Sequence, residues 1–400
     1  MEGSEMEQRE GCGDSRAGRK RKGLATSVEE RVRPEVRSMA RPRHGGDVWG
    51  YNGIEDYSSN VNPLGAPERL AEYIRDAAGD LINYPDDTAS GLKGAIASRY
   101  DVPAGSIVVG AGSAELIRLF PEVFISPGDK VVMPKPTFSE YGFACRLMGA
   151  RMVDHPLREE DGFRVDVGSL INALDRETKA VYLCNPNNPV GRMIGRREVM
   201  ELVEEAGRRD VMVFLDETLL ELSERDQDVT CVHEVESHDN MFLIRSFTKS
   251  FAMPGLRIGY GFGSKEVVRF MEAGRLSWNI GTLEQRVGAR LMSEEQEHVR
   301  KAVRMLVDEK KRMHSELSRI LPYRVPLPDS YFFFCPVHPL GVSSRQFRAA
   351  MLEERMLVRD CSSFGAPCDR YSRFCVKTPE RNEAFLGAMR SAVEKLGTGR

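Results

Sequence analysis

From His44 onward, short uninterrupted apolar runs alternate with helix-length amphipathic stretches. The runs are Ser106–Gly110, Lys130–Met133, Ala180–Cys184, Val211–Leu215, Met241–Ile244 and Leu256–Gly261. Continuous rather than alternating apolarity marks strands buried on both faces, so the pattern predicts an α/β fold with a mostly parallel sheet covered by helices. From about Leu283 to Ile320 the pattern becomes one long charged helix, with leucine, valine and methionine at helical spacing. It reads as a linker into a smaller C-terminal α/β domain. Residues 1–43 break the pattern: they are charged, contain glycine and lack aromatics. Such a tail buries too little apolar surface to order itself and is expected to be flexible. Its basic cluster Arg19-Lys20-Arg21-Lys22 reads as a solvated charge run rather than an RNA contact. The boundaries that follow are a tail over 1–43, an N-terminal arm with substrate-site residues over 44–84, a large domain over 85–283, and linker helix plus small domain over 284–400.

Size and charge narrow the partners. Four hundred residues suffice for a large core, and a net charge of -3 gives no field favouring nucleic acid or membrane. No apolar run reaches bilayer length and the N-terminus is polar, so a cytoplasmic protein is expected. The eight cysteines form no Cys-x-x-Cys pair, and Cys145, Cys184, Cys335 and Cys375 lie in apolar contexts. Reduced, buried thiols are expected, with no metal site.

Each polar motif falls just past one of the predicted strands, where ligands lie in parallel sheets. Gly110-Ala111-Gly112-Ser113-Ala114-Glu115 leads into a helix whose N-terminus can take a phosphate, or is a plain tight turn. Phe138, in Pro136-Thr137-Phe138-Ser139-Glu140-Tyr141, suits either stacking on a flat ring or the core. Asn185-Pro186-Asn187-Asn188-Pro189-Val190-Gly191 is a rigid extended turn presenting an amide. Asp216 ends so apolar a run that it needs a partner, either a protonated pyridine nitrogen or a helix N-terminus. Ser246-Phe247-Thr248-Lys249-Ser250 followed by Pro254-Gly255-Leu256-Arg257 combines a lysine able to form a Schiff base with a serine and an arginine able to clamp a phosphate. That combination describes a socket for pyridoxal phosphate; the alternative is a strand, a turn and a strand with an exposed lysine. Arg359 and Arg373 interrupt strand-like contexts near the C-terminus, as solvated edge charges or as receptors for an anionic substrate.

Taken in order, these motifs resemble the aspartate-aminotransferase superfamily of fold type I pyridoxal-phosphate enzymes, from His44 nearly to the end. The resemblance implies a large domain with a seven-stranded, mostly parallel sheet. It implies Lys249 as the Schiff-base lysine, Asp216 on the pyridinium, Asn188 on the ring phenolate and Phe138 stacked on the ring. Gly112, Ser113, Ala114, Ser246 and Arg257 would hold the phosphate. Tyr84 would reach the phosphate of a neighbouring subunit, so a homodimer with shared sites is implied. Arg373 would bind the substrate α-carboxylate. Many aminotransferases of this superfamily carry a tyrosine three residues after the aspartate; here that position is Leu219. Two branches act on phosphorylated amines, histidinol-phosphate aminotransferases and threonine-phosphate decarboxylases. His44-Gly45-Gly46, Asp56 to Gly65 and Leu357 to Phe364 are more similar to the second. That likeness implies decarboxylation of L-threonine O-3-phosphate, with Arg359, Asn60 and His44 on the substrate phosphate; transamination of histidinol phosphate is the alternative.

Overall fold

The structure is a computed structural model describing residues 27–46 and 48–398. The basic cluster at 19–22 lies outside the described residues. Residues 27–39 carry two one-turn helices, Val28–Arg31 and Pro34–Arg37, with no buried side chain. Ser27 and Glu30 close a capping box on the first.

From Ala40 onward the described residues form one compact unit built around a seven-stranded sheet. Its strands are β1 (Ile107–Ala111), β2 (Lys130–Lys135), β3 (Arg151–Pro156), β4 (Thr178–Cys184), β5 (Met212–Asp216), β6 (Met241–Ser246) and β7 (Ile258–Gly263). The spatial order is β1-β7-β6-β5-β4-β2-β3, all parallel except β7, which runs antiparallel to both neighbours. Alternate residues of each central strand feed two separate cores. Val181, Leu183, Val213, Leu215 and Leu243 enter one; Ala180, Tyr182, Phe214, Phe242 and Ile244 enter the other. Helices α1 (Ser113–Phe124), α2 (Ser139–Leu147) and, after β7, α4 (Lys265–Gly274) cover the second core, while α3 (Arg196–Gly207) covers the first. Both faces are therefore dry, which is why these strands read as unbroken apolar runs.

The structure departs from the sequence reading at three elements. β3 carries no apolar signal: it is an edge strand, and Arg151, Asp154 and His155 make it half polar and largely exposed. The run Leu256–Gly261 begins its strand two residues late, at Ile258, because Arg257 turns the chain with φ +53°. The long helix is two, α5 (Thr282–Glu294) and α6 (Gln296–Ile320), broken at Glu295.

A three-stranded antiparallel sheet follows, β8 (Phe332–Pro336), β9 (Arg359–Asp360) and β10 (Tyr371–Cys375), in the order β9-β10-β8. The first core runs on into it through Phe332, Phe333 and Phe374. The arm is tied down beside this sheet: Glu55–Asp56 pairs in parallel with Met356–Leu357 as a separate two-stranded sheet, and Cys375 N–H donates to Tyr57 O at 3.0 Å. Residues 57–62 are thereby laid across the carboxyl edge of the large sheet. No helix among the described residues is long and apolar enough to cross a membrane.

Candidate active site

The carboxyl ends of β1, β2, β4, β5 and β6 open onto one cleft of about 260 Å³. Because β7 is antiparallel, its beginning rather than its end lies at this edge, which brings Arg257 to the same place. Of the residues expected at the site, the cleft is lined by His44, Asn60, Ser113, Ala114, Phe138, Asn188, Asp216, Ser246, Lys249, Arg257, Arg359 and Arg373. Gly112 backs it through Arg257. Tyr84 is not brought in: it is 81 % exposed and its ring lies 4.9 Å from that of Trp278.

Lys249 sits on the one-turn helix Phe247–Ser250, started by Ser246, whose hydroxyl accepts from Thr248 N–H at 3.2 Å. Asn62 pins this turn from the arm: its N–H donates to Lys249 O at 2.9 Å and its side-chain amide to Ser250 O at 2.8 Å. Loss of hydration in the cleft pushes the Lys249 pKa down to about 8, and repulsion from Arg373 and Arg257 adds to it. An amine so tuned is a nucleophile near neutral pH.

Asp216 is buried at the end of β5. Its Oδ1 accepts from Thr218 N–H at 2.8 Å and its Oδ2 from the Tyr141 hydroxyl at 2.6 Å. Burial raises its pKa; the bonds from Thr218 and Tyr141 oppose the rise, as does the charge of Lys249. Its neighbour Glu217 turns into a buried ion network, where Arg245 donates to Glu217 and to Asp226 at 2.7 Å each.

At the end of β1 three features make a phosphate-sized cradle. Helix α1 begins at Ser113, at the edge of the cleft, with no side chain capping its N-terminus. Gly112 has φ +78°, and a Cβ there would come within 2.8 Å of Arg257 Cζ. Gly259 lies so close to this turn that a Cβ would meet Ser113 Cα at 2.7 Å. Only glycines let the helix terminus, the Ser246 hydroxyl and the Arg257 guanidinium share one spot. With a carboxylate for a ring nitrogen, an amide for a ring oxygen and a nucleophilic lysine, the donor set fits pyridoxal phosphate.

The far wall is cationic. Arg359 and Arg373 face each other across β9 and β10 in direct register, both buried. Arg373 donates to Asn188 Oδ1 and, at 2.5 Å, to Ser58 O; Arg359 donates to Ser363 Oγ at 2.6 Å and Arg43 O at 2.9 Å. Neither has a carboxylate at ion-pair distance among the described residues. Asn60 Oδ1 and Arg373 Nε are buried and unpartnered beside them. His44 pairs with Glu140 at 2.6 Å, its ring 5.6 Å from that of Phe138.

Two contacts escaped sequence reasoning. Tyr141 stands in the quoted Phe138 motif, but its bond to Asp216 depends on how α2 folds back over β5. Asn187, in the quoted turn, ties that turn to its neighbour: it accepts from Thr137 Oγ1 at 2.8 Å and donates to Pro136 O at 2.9 Å.

Residues 53–389 match the family model described as aminotransferase class I and II. A protein of Caldanaerobacter subterraneus subsp. tengcongensis, described as "Putative threonine-phosphate decarboxylase", is 34% identical over 362 residues, 90% of this chain and 96% of that protein. A histidinol-phosphate aminotransferase of Methanococcus maripaludis is 30% identical over 337 residues, 84% of this chain and 89% of that protein. The crystal structure of L-threonine-O-3-phosphate decarboxylase from Porphyromonas gingivalis superposes with a TM-score of 0.74 at 25% identity, covering 85% of this chain and 100% of that one. With the lysine, the aspartate and the glycine-lined cradle in one cleft, the chain belongs to the class I and II aminotransferase family of pyridoxal-phosphate enzymes.

Proposed function

We propose that this enzyme decarboxylates L-threonine O-3-phosphate, giving carbon dioxide and (R)-1-amino-2-propanol O-2-phosphate. The observation that carries the reading is the register pair Arg359–Arg373, two buried guanidiniums side by side without carboxylate partners. Two such cations are costly unless the ligand brings two anions. Threonine phosphate does so on adjacent carbons, whereas histidinol phosphate brings one. The description of the Caldanaerobacter relative agrees with this reading.

In this assignment Gly112, Ser113, Ala114, Ser246 and Arg257 hold the cofactor phosphate, Phe138 flanks the ring, and Asn188 and Asp216 hold its oxygen and its nitrogen. Bound there, pyridoxal phosphate supplies an electron sink for the pair released at the substrate α-carbon. Arg373, braced by Asn188 and Ser58, orients the α-carboxylate. Arg359, Asn60 and His44 take the substrate phosphate. Lys249 Nζ returns a proton to the α-carbon in place of the departed carbon dioxide. The enzyme acts as a homodimer in the cytoplasm, with the exposed Tyr84 reaching the partner subunit's site.

The test is a paired assay. Carbon dioxide release from threonine phosphate without any keto acid is expected. Glutamate formation from histidinol phosphate and 2-oxoglutarate, with no carbon dioxide from threonine phosphate, overturns the reading. It would establish the second one, an aminotransferase, which the Methanococcus relative favours.

A further inference from the structure

We infer that Tyr141 is a positioning residue that holds Asp216 ionised and aimed at the cofactor's ring nitrogen. The inference rests on the proposed pairing of Asp216 with that nitrogen. Asp216 is 3 % exposed, and both its oxygens are engaged: Oδ1 by the Thr218 N–H of its own turn, Oδ2 by the Tyr141 hydroxyl. The other groups facing it are few. From β4, Cys184 lies opposite in register; from β6, the register partner is the apolar Ile244; Lys249 faces it from the turn beyond. Tyr141 is therefore the side-chain donor that reaches this carboxylate from another element, while the Thr218 side chain bonds it from within the carboxylate's own turn.

Burial favours the neutral acid, which could not keep a pyridine nitrogen protonated. A hydrogen bond donated to the charged form opposes that preference, and at 2.6 Å it has the length of a charge-assisted O–H···O⁻ bond. The donor stays a donor at every working pH, because burial and the nearby Asp216 push the phenol far above its ordinary value. The phenol is also fixed in place. Its ring meets Phe138 edge-on at 5.5 Å and Tyr182 at 5.7 Å. One residue thus braces the aromatic proposed to flank the cofactor ring and the carboxylate proposed to meet its nitrogen.

The test is pyridoxal phosphate binding to the apoprotein, followed by protein fluorescence from roughly pH 5.5 to 8.5. Tyr141→Phe is expected to bind about tenfold or more weakly at the acid end and to approach wild type at the alkaline end, since the lost bond acts on ionisation. Tyr141→His, which restores a donor, is expected to recover most of the affinity, and it carries the test should the Phe variant fail to fold. A cofactor analogue with CH in place of the ring nitrogen is expected to bind wild type and Tyr141→Phe alike. A deficit that does not change with pH, or no deficit while Asp216→Asn is weakened, overturns the role of Tyr141. Wild-type binding by Asp216→Asn overturns the pairing beneath it, and the inference with it.

Discussion

Replacing Gly112 by alanine perturbs the proposed phosphate cradle at a single atom. Gly112 has φ +78° and ψ 163°, a region almost reserved for glycine, so a side chain there costs on the order of 1–3 kcal/mol in backbone strain. The added Cβ also comes within 2.8 Å of Arg257 Cζ. Arg257 is exposed, and among the described residues its guanidinium donates only to Pro254 O at 3.2 Å, so it can swing aside at little further cost to the fold. The cofactor phosphate then loses a fork whose charge-assisted bonds are worth about 1.5–3 kcal/mol each. Loss of one such bond weakens binding about ten- to hundredfold, and loss of both weakens it further. Titration of the apoprotein with pyridoxal phosphate is therefore expected to show Kd raised by about two orders of magnitude. Thermal unfolding of the same apoprotein is expected to fall only modestly. A folded Gly112→Ala enzyme that binds within about threefold of wild type refutes the reasoning. So does a double-mutant cycle in which Arg257→Ala costs as much in the Gly112→Ala background as in the wild-type one.

Other perturbations follow from the same geometry. Lys249 titrates at about 8 in the folded chain against 10.5 unfolded, so its cost to the fold is complete below about pH 8 and fades as pH rises towards 10.5. Lys249→Met apoprotein is expected to be more stable than wild type at pH 7, by on the order of 2–3 kcal/mol in denaturant unfolding; a margin that does not narrow at high pH refutes this. Arg359→Met and Arg373→Met are each expected to stabilise the apoprotein and to weaken substrate binding at least about tenfold. Inorganic phosphate inhibition should weaken with the first and not the second, and the reverse pattern exchanges their roles. Arg245→Met leaves Glu217 and Asp226 buried without their cation and is expected to cost about 3–5 kcal/mol, read by denaturant midpoint. Leu219→Tyr places a phenol in the cleft near the proposed ring-oxygen site; an absorbance titration of the cofactor–lysine linkage that does not move would rule out any influence of this position on the ring.

The strands at the heart of the sheet were legible because both their faces are dry; β3 was hidden because an edge strand can keep Arg151, Asp154 and His155. The cleft residues were legible where a whole motif survives along the chain, as around Lys249 and Asn188. They were not where the contact depends on tertiary folding. Tyr141 has the pattern of any core aromatic until α2 lays it against β5. Arg359 and Arg373 read as edge charges or receptors for an anion, and only the register of β9 and β10 sets them side by side. Glu217 follows Asp216 directly, yet the alternation of side chains at the strand end sends it to Arg245.

The reversed direction of β7 places Lys249 and Arg257 on the same connection, only eight residues apart, while Ser113, Phe138, Asn188 and Asp216 each arrive from a different strand. The span between the group proposed to hold the aldehyde and the group proposed to hold the phosphate is therefore set by chain length within one hairpin, not by the mutual packing of distant elements. Insertions in the surface crossovers can drift without altering that span. A single residue added between 250 and 256 cannot, so this short loop is where length variation would be tolerated least.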